Sequence, residues 1–141
     1  QDENDPQCLD YYKSAAKINP ALESQLRFYI AYCEQEYGDI EAAKTLYRIM
    51  ATDSIESNVF MGFFYPARIK QFKDNNFDSA IYFYKSALKT EPRHVESWHN
   101  LGMCFDGLGN KTQALKSFSK ALEYNPEFKL SRDYADSIRF L

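Results

Sequence analysis

Glycine and proline are scarce, five of each in 141 residues. Tight turns draw heavily on both, so the scarcity argues against an all-β chain of many short strands. Cysteine is sparse as well: Cys8, Cys33 and Cys104, with no two in a CxxC or CxxxC pair. Three cysteines so placed do not make a disulfide framework. With only two histidines, His94 and His99, they also fall short of a four-ligand zinc site. No apolar stretch approaches the roughly 20 residues of a membrane span. Basic excess is missing too, since the net charge is −3 and the pI about 5.4. A nucleic-acid binder would carry a basic footprint, so no nucleic-acid partner is expected. There is no GxSxG, HExxH or P-loop pattern. His94 and His99 lack a third ligand or an acidic partner at catalytic spacing. No catalytic residue, metal or cofactor is therefore expected.

What the chain has is apolar and aromatic mass. It is 45% hydrophobic and 26% charged, which suits a globular fold, and its length suits one domain. Tyrosine and phenylalanine reach 11 each. Charge is uneven: residues 1–60 hold 11 acids and 5 bases, a net −6, and the remainder holds 9 acids and 12 bases, a net +3. The acidic start (Asp2, Glu3, Asp5, Asp10) reads as a solvated tail. A cleaved leader would leave such a start, and the first residue is Gln1 rather than Met, so the expectation leans toward an exported or periplasmic chain.

The sequence repeats itself, and the interval is the one that separates Ala80 from Ala114. Shifted by that amount, Trp98 falls on Phe64, Ala114 on Ala80, Phe118 on Tyr84, Ala121 on Ala87, Leu122 on Leu88 and Pro126 on Pro92. Tyr47 and Tyr12 continue the series toward the N-terminus, and Pro20 stands where Pro92 and Pro126 stand. Each unit carries two apolar stripes at helical spacing, such as 98, 101, 105, 108 and 114, 115, 118, 121, 122. Gly109-Asn110 between them suits a left-handed helix end. Small residues at Gly102, Ala114 and Ala121 permit close approach, and Trp98, Phe105 and Phe118 fill the space beside them. Helices are expected near 7–18, 22–37, 39–51, 58–74, 77–89, 94–108 and 111–124. An eighth, carrying Phe128, Leu130, Tyr134, Ile138 and Leu141, is expected to cap the stack. Pro66 is the anomaly, and its helix should either start late, near Tyr65, or kink there.

Residues 95–128 resemble a tetratricopeptide repeat: Trp98-x-x-Leu101-Gly102-x-x-Phe105, Gly109, Ala114-x-x-x-Phe118, Ala121 and Pro126. Residues 61–94 and 24–57 carry the pattern with departures, Arg68 replacing a small residue and Arg27 a bulky one. Residues 8–20 resemble the second helix of a preceding unit. The resemblance implies an all-α chain, a right-handed α-α superhelix or solenoid of helical hairpins, forming a single domain over residues 1–141. Within it lie a half repeat at 8–20, repeats at 24–57, 61–94 and 95–128, and a capping helix at 129–141.

The resemblance also implies a concave groove lined by the first helix of each unit. The matching places are Gln25, Phe28, Tyr32 and Gln35, flanked by Tyr29; Gly62, Tyr65, Ile69 and Phe72; then Glu96, His99, Met103 and Asp106, flanked by Asn100. Six of the twelve groove places are Phe, Tyr, Ile or Met. Apolar groups facing water gain nothing until covered, so the groove suggests an apolar peptide or protein segment as ligand. The expected binding residues are Phe28, Tyr29, Tyr32, Tyr65, Ile69, Phe72, His99, Asn100 and Met103, with His99 as a hydrogen-bond donor and His94 as a surface residue. One variant of the family grips a peptide's terminal carboxylate with Lys, Asn and Arg. The matching places here are Phe28, Tyr32, Pro66, Glu96 and Asn100, none of them cationic, so that grip is not expected. The competing readings are groove side chains that pack on one another, a homodimer joined through the uncapped N-terminal helices, and a helical scaffold for a small ligand.

Overall fold

The computed structural model describes residues 5–140. Asp2 and Glu3 of the acidic start, and Leu141 of the closing helix, lie outside them. Among the described residues there are eight α-helices and no strand. They are α1 (Cys8–Ile18), α2 (Glu23–Tyr37), α3 (Ile40–Met50), α4 (Glu56–Phe72), α5 (Phe77–Thr90), α6 (Val95–Gly107), α7 (Lys111–Tyr124) and α8 (Lys129–Arg139), with a 3-10 turn at Pro20–Leu22. The chain is all-α, as the two apolar stripes per unit predict. It divides into two compact units, Gln1–Gly62 and Phe63–Leu141.

Side-chain caps set the helix starts. Asp39 accepts hydrogen bonds from the Glu41 and Ala42 amides at the head of α3. Asn76 and Asn110 accept from Ser79 and Gln113 at the heads of α5 and α7. Each cap answers an amide that the helix itself leaves without an acceptor. The residues just before the two asparagines carry the left-handed turn: Asn75 at φ 50° and Gly109 at φ 76°. They stand one repeat apart, and Asn and Gly are the residue types that tolerate that backbone best.

In the first unit α1 packs on α2 and α2 on α3. Its buried residues include Ile30, Ala31, Cys33, Ala43, Tyr47 and Met50. Gly62, which the repeat pattern places in the groove, instead abuts α3. A β-carbon there would lie 2.7 Å from the Tyr47 carbonyl oxygen, so backbone meets backbone at that crossing. The cysteine expectation also needs correction. Cys8 and Cys33 form a disulfide, with their α-carbons 6.1 Å apart. Helices α1 and α2 fold back on one another, so residues 25 apart in sequence become neighbours. Cys104 is the free, buried cysteine.

In the second unit α5 packs on α6, α6 on α7 and α7 on α8. Ala80, Tyr84, Ala87, Ala114, Phe118 and Ala121 are all fully buried, which is where the matches between repeats fall. Gly102 is required by close packing: a β-carbon there would stand 2.6 Å from the Phe118 ring. Helix α8 buries Ser131, Ala135 and Ile138. Ala135 and Ile138 join Ala114 and Phe118 in one apolar cluster. The proline expectation is corrected in part. Helix α4 does not start late, because residues 56–65 are helical ahead of Pro66, which lies inside the helix.

Candidate functional site

The second unit contains a hollow of about 470 Å³ lined by residues of α4, α6 and α8 and of the turn before α8. Helix α6 supplies its floor. Glu96, His99, Asn100 and Met103 recur at i, i+3, i+4 and i+7, which places them on one face of a helix. Phe72 stands at the C-terminal end of α4, and Phe128, Leu130 and Tyr134 complete the wall. Three of the wall residues face solvent around this one concavity: Phe72 is 54% exposed, Leu130 56% and Tyr134 36%.

His99 holds the floor together. It is 5% exposed, and its Nδ1 lies 2.9 Å from the Ser131 hydroxyl on α8. Its ring meets the edges of Phe128 and Tyr134 at centroid distances of 5.3 and 5.5 Å. Tyr134 in turn stacks on Phe118 at 5.6 Å. Burial disfavours the imidazolium and holds the His99 pKa below its ordinary value. The Gln71 amide approaches the Met103 sulfur at 4.0 Å. An apolar wall over a floor bearing one carboxylate, one amide and one neutral imidazole suits an apolar side chain held in place by a few polar contacts.

The expected binding residues are distributed over both units. In the first, Phe28, Tyr29 and Tyr32 form an aromatic series with ring centroids 5.5 Å (Phe28–Tyr29) and 6.2 Å (Phe28–Tyr32) apart. Tyr12 of α1 stacks on Tyr29 at 5.2 Å. In the second, Phe72, His99, Asn100 and Met103 line the hollow. Tyr65 is half-buried with its ring edge-on to Phe64. Ile69 is 2% exposed, so its side chain belongs to the packing and presents no surface to a ligand. His99 and Asn100 are buried as well.

Phe128, Leu130 and Tyr134 are expected in the closing cap and not in the groove, because Phe128 is the last residue of the repeat and the other two lie beyond it. Their helical spacing was the available signal. His94, expected at the surface, is half-buried and caps α6. The His94 Nδ1 accepts from the Ser97 amide at 3.2 Å and lies 2.9 Å from the Ser97 hydroxyl. No group of three or more His, Cys, Asp or Glu among the described residues could hold a metal ion. No helix among them is long and apolar enough to cross a membrane. Burial pushes the Cys104 thiol up to about 12, so it is not a thiolate at neutral pH.

The hairpin of α6 and α7, with Gly102 against Phe118 and Ala114 and Ala121 fully buried, is the unit that comparison with known families also picks out. The family model for the tetratricopeptide repeat matches residues 95–128. The chain carries a tetratricopeptide repeat. Hsp70-Hsp90 organizing protein 3 of Arabidopsis thaliana is 29% identical over 69 residues, 49% of this chain and 12% of that protein. Tetratricopeptide repeat-containing protein trd-1 of Caenorhabditis elegans is 31% identical over 87 residues, 62% of this chain and 11% of that protein. Photosystem I assembly protein Ycf3 of Prochlorococcus marinus (strain NATL1A) is 26% identical over 88 residues, 60% of this chain and 50% of that protein. The chain is thus similar to pieces of longer proteins, and it spans half or less of each.

Proposed function

We propose that this chain is a non-catalytic protein-interaction module, and that the hollow bounded by α4, α6 and α8 receives an apolar segment of a partner protein. The observation that carries the reading is the solvent exposure of Phe72, Leu130 and Tyr134 around one concavity. Such groups gain nothing from water, and covering the exposed part of each contributes roughly 1 kcal/mol before the costs of association. Glu96, His99, Asn100 and Met103 form the floor of the site, with Glu96 supplying its carboxylate. Phe28, Tyr29 and Tyr32, with Tyr65, are further contact residues on their own units. The names of the similar proteins, an organizing protein and an assembly protein, describe work of this kind for those proteins.

The test is selection from a random peptide library on the immobilised protein, followed by titration of the selected peptides. A Phe72→Ala, Leu130→Ala double variant removes two exposed walls without touching the core. Weakening by about tenfold or more, with an unchanged melting temperature, supports the site. Equal affinity for the variant excludes it.

A further inference from the structure

A second concavity lies on α5, α6 and α7, away from the residues of the hollow. It is a cleft of about 400 Å³. Its apolar lining comes from Leu88 on α5 and from Trp98, Leu101 and Phe105 on α6. The Trp98 indole N–H is already spent on the Pro92 carbonyl at 2.8 Å, so that side chain offers the cleft its apolar body. Four lysines border it: Lys85 and Lys89 from α5, and Lys116 and Lys120 from α7. No carboxylate is among the residues lining it.

We infer that this cleft docks an acidic amphipathic helix of a partner protein, its apolar stripe on Trp98 and Phe105 and its carboxylates on the two pairs of lysines. The spacing carries the inference. Each pair is i, i+4 on its helix, so the two ammonium groups of a pair start from positions about 6 Å apart along the axis. A helix bearing Asp or Glu at i and i+4 offers the same interval. Consecutive short-looped helices alternate in direction, so α5 and α7 run parallel with α6 between them. The lysine pairs therefore form rails on either side of an apolar floor, the arrangement that a helix seated in a groove requires.

The lysines are not a by-product of the repeat. Shifted by one repeat, Lys85 falls on Ser119, Lys89 on Glu123, Lys116 on Tyr82 and Lys120 on Ser86. Four cations that do not recur at the repeat spacing nonetheless converge on one cleft. Their engagements inside the chain include exposed ones: Lys120 meets Glu123 at 2.7 Å and lies 5.7 Å from the Tyr124 ring centroid, and Lys85 lies 5.5 Å from the Phe105 ring centroid. Such exposed pairs contribute little and yield readily to a better anion. An anionic surface without apolar anchors would use the lysines and leave the floor uncovered.

Trp98 is the only tryptophan of the chain and lines the cleft, so it reports occupancy directly. The probe is a synthetic helix of about 18 residues with a leucine stripe flanked by glutamates at i, i+4, long enough to be helical when bound. A scrambled peptide of the same composition is the control. The expected result is a saturable shift of Trp98 emission with the helix, much weaker with the scramble. Raising NaCl from about 50 to about 300 mM should weaken it several-fold. Lys89→Glu with Lys116→Glu, both exposed, should raise the Kd about tenfold or more with an unchanged melting temperature. An absent Trp98 response overturns the inference. So does equal affinity for the charge-reversed variant, or an emission shift produced by phosphatidylserine vesicles and not by the helix. The hollow shares no residue with this cleft, so the peptide test of Phe72 and Leu130 stands or falls separately.

Discussion

The Tyr84 hydroxyl donates to the Gln71 side-chain oxygen at 2.7 Å, both residues buried, and Tyr47 makes the same bond to Gln35 at 3.1 Å in the first unit. In the third repeat the matching residues are Phe118 and Phe105, so hydroxyl and amide have both been replaced by apolar groups. A buried donor and acceptor can be kept together or removed together, but losing one strands the other. Tyr84→Phe should therefore destabilise the protein by about 1–3 kcal/mol, because it leaves the Gln71 oxygen without its donor and removes the hydroxyl that the buried Asn100 side chain also meets. Tyr84→Phe combined with Gln71→Leu should recover the part of that loss that comes from the stranded Gln71 oxygen. Urea unfolding of the two variants checks it; a double variant less stable than Tyr84→Phe alone would contradict the pairing.

The helices and the interior are legible in the sequence because both follow local rules. Ala80, Tyr84 and Ala87 and their partners one repeat on are packing positions by pattern, and all are fully buried. Gly102 is a close-approach residue by pattern and faces the Phe118 ring. What the sequence hides depends on long-range return of the chain. The Cys8–Cys33 pairing needs the α1–α2 hairpin to be folded first, and residue spacing alone does not reveal it. Ile69 and Gly62 occupy groove places by pattern, yet Ile69 is buried and Gly62 abuts α3. The hollow is half legible: α6 supplies His99, Asn100 and Met103 by repeat position, whereas Leu130 and Tyr134 come from a helix outside the repeat.

The bridge from Cys8 should matter most to α1. Cys8 is the sole buried residue of that helix. Its other ties include the Tyr12–Tyr29 stack and the ion pair from Lys13 to Glu34 at 2.6 Å. Closing a loop across a separation of 25 residues is worth about 3–4 kcal/mol in the chain-entropy model. Reduction should lower the stability of the first unit by an amount of that order. In hydrogen exchange, α1 amides should lose protection on reduction while α6 and α7 amides keep theirs. Native-state alkylation of the reduced protein should leave Cys104 unmodified, since it is buried and its thiol stays protonated. Unchanged α1 protection after reduction would show that the bridge does not hold the helix.

Acid should destabilise the fold through its histidines before the carboxylates titrate. Burial depresses the folded pKa of His94, outweighing Glu91 and Glu96, which act to raise it; His99 is depressed by burial as well. Well above the ordinary value of 6.5 both states hold neutral imidazole and pH has no effect through these groups. As pH falls below it, the unfolded chain binds protons that the folded chain resists, so stability drops, by at most about 1.4 kcal/mol per pH unit for each histidine. His94 adds a specific cause: a protonated Nδ1 cannot accept from the Ser97 amide, and a cation at the head of α6 opposes the helix dipole. Asparagine caps α5 and α7 at Asn76 and Asn110 without titrating. His94→Asn should therefore match the native protein near pH 7.5 and lose less stability than it does by about pH 5.5. Urea midpoints at the two pH values decide the matter, and parallel losses in both proteins would remove His94 as the acid-sensitive cap.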